Sequence, residues 1–156
     1  MIIVVSDASP IINLAAVSRL PLLQELFGSI LVPPSVWAEV MAGEQFALPD
    51  WVELRSPANQ PLVSSLCAEL DRGEAEAIAL AAEIAAGLVL IDEKKGRAVA
   101  RRLGLCPLGL LGVLTESKAR GLIPEVKPLL NLMVRKAGFR ITEALYRQVL
   151  QSVGEA

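Results

Sequence analysis

The chain has 156 residues, of which 53% are hydrophobic and 21% are charged, and its formal net charge is −2. Its two cysteines, Cys67 and Cys106, are too few and too far apart for a disulfide framework or a cysteine-based zinc site, so we expect two buried thiols in a reducing cytoplasm. Histidine is absent, which excludes Ser-His-Asp and Cys-His catalysis and every metal site that requires imidazole.

The first part of the chain alternates short apolar runs with helical patterns. Residues 2–5 form a continuous β-branched run, which predicts a buried central strand of a parallel sheet, and Pro10 suits the first turn of a following helix. The further predicted elements are helices over about 11–16 and 20–27, a strand over 30–32, a helix from Pro34 or Ser35 through Met41 that Gly43 stops, a strand over 51–54 and a loop over 56–61.

The second part continues this alternation with longer helices. Its predicted elements are a helix over 62–70, an Ala-rich helix from Asp71 to about Ala86, a strand over 88–91, a basic helix over 93–103, a weak strand over 105–107, and helices over about 109–119, 124–136 and 142–153. Strands that alternate with helices indicate a parallel sheet of four to five strands with helices on both faces. No repeat or linker interrupts the pattern, so we expect residues 1–156 to form a single domain.

A membrane span is not expected. The longest apolar stretch, residues 75–91, is interrupted by Glu76, Glu83 and Gly87, whereas a span needs roughly 20 residues with few or no charges.

Acidic residues stand at the points where predicted strands end. Asp7 comes directly after the first strand, and Asp92 directly follows the strand that ends at Ile91. Glu39 lies on the helix after the second strand, and Glu74 lies in the first turn of the Ala-rich helix. Because sites in parallel sheets form at the carboxyl ends of the strands, we expect these four carboxylates to converge on one edge of the sheet.

This combination of residues predicts a site for Mg²⁺ or Mn²⁺. Carboxylates packed together repel one another, and some must protonate unless a cation neutralises them. A set of oxygen ligands without nitrogen or sulfur suits Mg²⁺ or Mn²⁺ rather than Zn²⁺. One or two such ions can activate water and stabilise the charge that builds on a phosphodiester. Asp7, Glu39, Glu74 and Asp92 are therefore the candidate metal ligands and catalytic residues.

Each of these acids also has a purely structural interpretation. Asp7 and Asp92 can cap the helices that follow them, and Glu39 can be a solvated surface residue. Asp71 and Glu74 have the spacing of a capping box, and for Asp71 we favour that role.

Two neighbouring residues leave alternatives open. Glu76 is the reserve candidate for the third acid, because residues two apart on a helix are rotated by roughly 200° and cannot easily share one site with Glu74. The hydroxyl of Ser9 could orient the carboxylate of Asp7 or a metal-bound water, or it could cap the helix that contains Pro10.

Charge is distributed unevenly along the chain. Residues 1–93 contain 3 Lys and Arg against 13 Asp and Glu, and residues 94–156 contain 12 against 4. A metal site beside a polyanion-binding surface would produce this asymmetry, and accidental clustering on a solvated surface is the alternative. The basic helix after Asp92 could contact phosphates or simply face solvent; its cations are Lys94, Lys95, Arg97, Arg101 and Arg102. With 4% aromatic residues, platforms for base stacking are few.

At these residues the sequence resembles the PIN-domain superfamily. It is similar in particular to a PIN-like group of prokaryotic proteins related to the toxin nucleases of type II toxin–antitoxin modules. The resemblance covers about residues 2–150, in order, through SDASPIINLA at 6–15, VPPSVWAEV at 32–40, LDRGEAEAIALA at 70–81, LIDEKKGRAVARRLGL at 90–105 and the segment at 108–130.

The resemblance implies a PIN-like three-layer α/β/α sandwich and a Mg²⁺- or Mn²⁺-dependent ribonuclease whose substrate is RNA. By position, Asp7, Glu39, Glu74 and Asp92 match the family's four acids, with Glu76 as the competing third. Ser9 matches a position that is a small hydroxyl or amide residue in the family. The third acid is a departure, because the toxin nucleases usually have Asp there, and the longer arm could shift or weaken the metal.

The resemblance also implies partners and a cellular role. It implies a toxin that pairs with a cognate antitoxin, and a homodimer. The competing hypothesis is a non-catalytic PIN-like binding or regulatory module that acts through oligomerisation, which the apolar composition and the Glu at the third acid favour. Two other phosphate enzymes are disfavoured: a haloacid-type phosphatase needs an Asp where Ser9 stands, and the P-loop pattern GxxxxGK[ST] is absent.

Overall fold

Five short strands form one parallel sheet at the centre of the fold. The computed structural model describes residues 2–43 and 47–156. The strands are β1 (Val4–Ser6), β2 (Ile30–Val32), β3 (Val52–Leu54), β4 (Leu88–Leu90) and β5 (Pro107–Leu108). Their order is β3-β2-β1-β4-β5, so the chain builds outward from β1 on one side and then crosses over to the other. Such a reversal beside the first strand opens a crevice at the carboxyl ends of β1 and β4.

Nine helices within the described residues cover the two faces of the sheet, and the result is a three-layer α/β/α sandwich. The helices are α1 (Ala8–Ala16), α2 (Pro21–Phe27), α3 (Pro34–Gly43), α4 (Gln60–Leu66), α5 (Arg72–Glu83), α6 (Lys94–Arg102), α7 (Leu110–Ala119), α8 (Lys127–Lys136) and α9 (Glu143–Ser152). None of the helices in the described part of the chain is long and apolar enough to cross a bilayer.

The alternation of side chains along the strands separates two cores. Val4 and Leu90 pack into the core formed with α1, α2, α7, α8 and α9. Val5 and Val89 pack into the opposite core, formed with α4, α5 and α6. Successive residues of a strand point to opposite faces, so this assignment also fixes where the residues just beyond β1 and β4 point.

Several predicted boundaries move. The central position of β1 is confirmed, but the run at residues 2–5 was expected to be buried throughout, and Ile2 and Ile3 are 53% and 43% exposed. The ladder with β4 begins only at Val4, which pairs with Leu88, because both strands are three residues long. Helix α4 begins inside the predicted loop because the side chain of Asn59 caps it by accepting the N–H of Leu62 at 3.1 Å.

The expectation of two buried thiols is wrong. Cys106 is exposed just before the edge strand β5, and Cys67 is half-buried at the end of α4. Both are free cysteines.

Candidate metal centre

Asp7 lies at the junction between the central strand and the first helix. Its backbone N–H donates to the carbonyl of Leu90 at 2.8 Å, which extends the β1–β4 ladder by one step, and α1 begins at the next residue. The side chain makes no capping hydrogen bond to the later turns of α1, and Asp7 is only 7% exposed. Asp7 therefore occupies the N-cap position of α1, but its carboxylate does not form the hydrogen bond that a capping role would require.

The environment of Asp7 disfavours its charge. Burial raises the pKa of its carboxyl to about 7, against a lowering contribution from the backbone N–H of Ala8. The negative charges of Glu74, Asp71 and Glu39 raise that pKa further. A nearby cation would favour the charged form of this carboxyl and would lower its pKa.

Glu74 occupies the first turn of α5 and has one oxygen without a partner. Oε1 completes the capping box by accepting the N–H of Asp71 at 3.4 Å, and Oδ1 of Asp71 accepts the N–H of Glu74 at 2.8 Å. The other oxygen, Oε2, is buried and accepts no hydrogen bond from any described residue. Burial and the neighbouring charge of Asp71 raise the pKa of Glu74 to about 7, partly opposed by the bond from the Asp71 amide.

Two glycines make room for these carboxylates. The position that a Cβ of Gly73 would occupy lies 3.5 Å from Oδ1 of Asp7 and 3.6 Å from Oδ1 of Asp71, so the two acids flank the first turn of α5. A Cβ at Gly96, in the first turn of α6, would lie 2.9 Å from Oε2 of Glu74 and 2.7 Å from Cδ1 of Ile91. No side chain fits at Gly96 without displacing one of these neighbours.

Glu39 and Asp71 complete the acidic group. Glu39 is an exposed residue of α3, and the pKa of its carboxyl is raised by partial burial and then by Asp71. Asp71 thus acts electrostatically on Asp7, Glu39 and Glu74 alike. The expected capping role of Asp71 is confirmed, but its position among the other acids was missed. The signal in the sequence was its place three residues before Glu74.

Asp92 faces another part of the molecule. Its Oδ1 accepts the N–H of Leu110 at 2.9 Å, at the start of α7, and its carbonyl accepts a hydrogen bond from Arg97. Burial raises the pKa of Asp92, while the Leu110 amide and Arg97 lower it and Glu93 raises it. Glu93 also raises the pKa of Glu74, so the charge of Glu93 acts on both Asp92 and Glu74.

Strand register explains why Asp7 and Asp92 point apart. Ser6 pairs with Leu90, so Asp7 lies beside Ile91, and Asp92 lies one step further. Asp7 is two residues beyond Val5 and faces α5, whereas Asp92 is two residues beyond Leu90 and faces α7. The structure therefore places Asp7, Glu39 and Glu74 within electrostatic reach of Asp71 and turns Asp92 toward α7.

Glu76 is committed to a structural role. Its two oxygens accept the backbone N–H and the hydroxyl of Ser35 at 2.9 Å each, and it pairs with Arg72 at 3.0 Å. These bonds tie α5 to the start of α3 and leave Glu76, which is 5% exposed, with satisfied oxygens. Of the two acids, Glu74 is therefore the one with an oxygen, Oε2, that remains available to bind a ligand.

The acidic group fits a divalent cation in its donor set. Its members supply only carboxylate oxygens, the unpartnered Oε2 of Glu74 lacks a positive neighbour, and charge repulsion within the group would be relieved by an ion. Among the described residues, no three acidic or cysteine side chains converge as they stand. Binding would thus require a change of rotamer, which is easiest for Glu39 because that residue is exposed.

Ser9 lies apart from the carboxylate of Asp7. It lines a cleft of about 880 Å³ together with Asp92, and its carbonyl accepts a hydrogen bond from the side chain of Asn13 at 2.9 Å. No described contact joins the Ser9 hydroxyl to Asp7, and Ser9 does not cap α1, because the N-cap residue of that helix is Asp7.

Comparison with known families gives one match. A family model described as a PIN domain matches residues 3–155, nearly the whole chain. No curated protein sequence matches this chain.

Proposed function

Because the chain belongs to the PIN-domain family, which has a nuclease-type fold, we propose that it is a Mg²⁺- or Mn²⁺-dependent endoribonuclease. The observation that carries the proposal is the buried pair of Asp7 and Glu74, whose pKa values are raised to about 7 among like charges. Perturbed carboxylates gathered in a crevice are typical of catalytic sites.

In this proposal Asp7, Glu39 and Glu74 would hold an ion at one end of the crevice, with Asp71 beside them, and Asp92 would be the metal ligand at the other end. When bound, one or two ions would supply a nucleophilic water and neutralise charge on the phosphodiester. The residues of the chain fix the positions of the metal ligands. Asp7 is fixed by its backbone bond to β4, and Asp92 is fixed by its bond to α7, so both ends of the crevice are rigid.

The decisive test is cleavage of RNA in Mn²⁺ by purified wild-type protein and by single variants. Asp7→Asn and Asp92→Asn should each lower cleavage by at least about 100-fold, as expected when a group that stabilises the transition state is removed. Glu76→Gln is the matched control, because Glu76 is bonded to Ser35 and Arg72, and it should cleave like the wild type. Wild-type cleavage by both aspartate variants would contradict the proposal.

The cellular role that we propose is the toxin of a toxin–antitoxin pair. The simplest test is to read the sequence of the neighbouring gene. A small adjacent reading frame that encodes a DNA-binding protein supports the toxin role, and the absence of such a frame counts against the toxin role. We further propose a homodimer, which light scattering of the purified protein tests directly.

One observation favours a second candidate, a non-catalytic binding or regulatory module. In the described part of the chain, no three potential ligands are gathered closely enough to hold an ion without rearrangement. Titration calorimetry separates the two candidates. Binding of Mn²⁺ that Asp7→Asn abolishes favours the nuclease, whereas no binding at millimolar concentration favours the module.

A further inference from the structure

The cleft that contains Asp92 is lined by parts of the chain that are far apart in sequence. The lining residues come from α6 and the start of α7, from α1, and from residues 137–140, which join α8 to α9. Ser9 lies at the α1 side, and Asp92 lies where β4 ends. The cleft therefore opens directly from the crevice at the carboxyl edge of the sheet.

Positive charge predominates in this cleft. Its lining includes four cationic side chains, Lys94, Arg97, Arg101 and Arg140, against the two acids Asp92 and Glu93. Arg97 is engaged by the carbonyl of Asp92. Among the residues that the structure describes, neither Arg101 nor Arg140 forms an ion pair, and both are exposed.

A neighbouring arginine shows that this is not a general property of α6. Arg102 pairs with Glu69 at 2.6 Å, and that pair raises the pKa of Arg102 and lowers the pKa of Glu69. Arg102 is thus directed at the acidic residue before α5, whereas Arg101 lines the cleft. On α6, therefore, Arg102 is paired with an acid of the protein itself, whereas the charge of Arg101 is available to a ligand.

Arg140 reaches the same cleft as Arg101 from the turn that follows α8. Gly138 ends α8 with a φ of +68°, a conformation that favours glycine. The N–H groups of Ala137 and Phe139 both donate to the carbonyl of Met133, at 2.9 and 3.3 Å, so backbone hydrogen bonds close the turn after α8. Phe139 packs on the apolar core, so the backbone just before Arg140 is held both by this ring and by the hydrogen bonds to Met133.

We propose that this cleft is the groove for a single strand of RNA, and that Arg101 and Arg140 hold phosphates on its two sides next to Asp92. The inference rests on the proposed nuclease function and adds the residues that position the substrate. A recessed basic groove can follow one flexible backbone, whereas duplex RNA is bound across the surface of its minor grooves.

The groove reads the backbone rather than the bases. Phe139 is the one aromatic side chain among the described residues that line it, and that ring already packs on the core. With little surface for base stacking, most of the affinity comes from phosphate contacts. Binding should therefore depend strongly on salt and weakly on sequence.

The test is fluorescence anisotropy with the full chain in EDTA, using a labelled single strand of about 12 nucleotides, which is within the range of such grooves. Arg101→Ala and Arg140→Ala should each weaken binding about tenfold, the effect of one charge-assisted contact. Each should also reduce the slope of log K against log salt by about 0.7, the value for one phosphate of a single strand. Arg19→Ala is the matched control, because Arg19 is exposed between α1 and α2, outside the cleft, and it should bind like the wild type.

Two outcomes overturn the groove: salt slopes of Arg101→Ala and Arg140→Ala that equal the slope of Arg19→Ala, or a duplex of the same sequence that binds as tightly as the single strand. Parallel cleavage assays in Mn²⁺ separate this failure from failure of the nuclease function. Cleavage by the wild type with unchanged slopes in both variants rejects only the groove. Reduced slopes without any wild-type cleavage retain the groove and reject the nuclease.

Discussion

Replacing Asp7 with Asn should make the metal-free protein more stable, and the gain should grow with pH. The pKa of Asp7 is raised from 3.8 in the unfolded chain to about 7 in the fold, mainly by burial. Between about pH 4 and pH 7 the folded state therefore holds a proton that the unfolded state has lost. The free energy of unfolding falls as pH rises through this window and then stays low.

The size of the effect follows from the shift. At pH 8 the buried charge costs about 4 kcal/mol, because the pKa rises by about three units and each unit is worth about 1.36 kcal/mol. At pH 5 folded Asp7 is protonated, and the cost is about 1.6 kcal/mol, the work of protonating the unfolded side chain. Asn has the same shape without the charge, so these figures are upper limits for the stabilisation by Asp7→Asn at each pH.

Urea denaturation of the metal-free wild type and Asp7→Asn at pH 5 and pH 8 measures both values. The control is Asp50→Asn, at an exposed position, which should change the free energy of unfolding by less than about 0.5 kcal/mol at either pH. Mn²⁺ at 100 times its Kd should narrow the difference at pH 8, because it stabilises the wild type by about 2.7 kcal/mol and should not bind the variant. An Asp7→Asn protein that is less stable than wild type at pH 8, or equally affected at both pH values, would refute this reasoning.

Four further predictions concern the same framework. Calorimetric affinity for Mn²⁺ should rise about fivefold from pH 6 to pH 7 for each proton released, because Asp7 and Glu74, with pKa values of about 7, must lose protons to bind an ion. Glu76→Gln should lower the free energy of unfolding by about 1–3 kcal/mol in urea melts without changing that affinity, because it weakens bonds to Ser35 and Arg72 only. Gly96→Ala should lower Mn²⁺ affinity, since its Cβ would displace Oε2 of Glu74, with an overpacking cost of about 1–3 kcal/mol partly offset by about 1 kcal/mol of helix propensity. Glu155→Ala should cost about 1–3 kcal/mol in thermal unfolding, because Glu155 accepts the ammonium of Lys118 and two amides at the start of α8.

Each of these has an outcome that would contradict it. Affinity for Mn²⁺ that is flat from pH 6 to pH 8 would show that no proton competes with the ion. Loss of Mn²⁺ binding in Glu76→Gln would make Glu76 the third acid, and unchanged binding in Gly96→Ala would separate Oε2 of Glu74 from the ion. For Glu155 the control is Glu116→Ala, which removes an exposed i,i+4 pair with Arg120 and should be nearly neutral; equal effects in the two variants would remove the special role of Glu155.

Local patterns predicted most of the fold. Residues 30–32 were predicted as β2 and are β2, because the apolar run stops at Pro33 and Pro34, which cannot continue a strand. The predicted box of Asp71 and Glu74 forms because both partners are three residues apart on one helix. Boundaries that depend on strand pairing were predicted less well: nothing local to Ile2 and Ile3 says that β4 is too short to cover them.

The members of the candidate site remain a prediction from the sequence, and the structure changes part of the geometry that was expected for them. The spacing of Glu74 and Glu76 showed that both could not face one site, but the choice depends on Ser35, which is 41 residues from Glu76 in the chain. The divergence of Asp7 and Asp92 depends on the Ser6–Leu90 register, which sequence alone does not provide. The rule that strand ends converge places both acids at one edge but leaves open the face to which each one turns.

The Glu at position 74 has a structural reason that bears on the third acid of the site. One oxygen of Glu74 reaches back to the N–H of Asp71, and the other extends toward Gly96 on α6. An Asp at this position would be one methylene shorter and could not span both directions from the first turn of α5. Gly96 provides the space that the longer side chain requires, because any Cβ there would approach Oε2 to 2.9 Å. In the metal site that we propose, the longer arm is thus held at one end by the capping box and leaves its other oxygen for the ion.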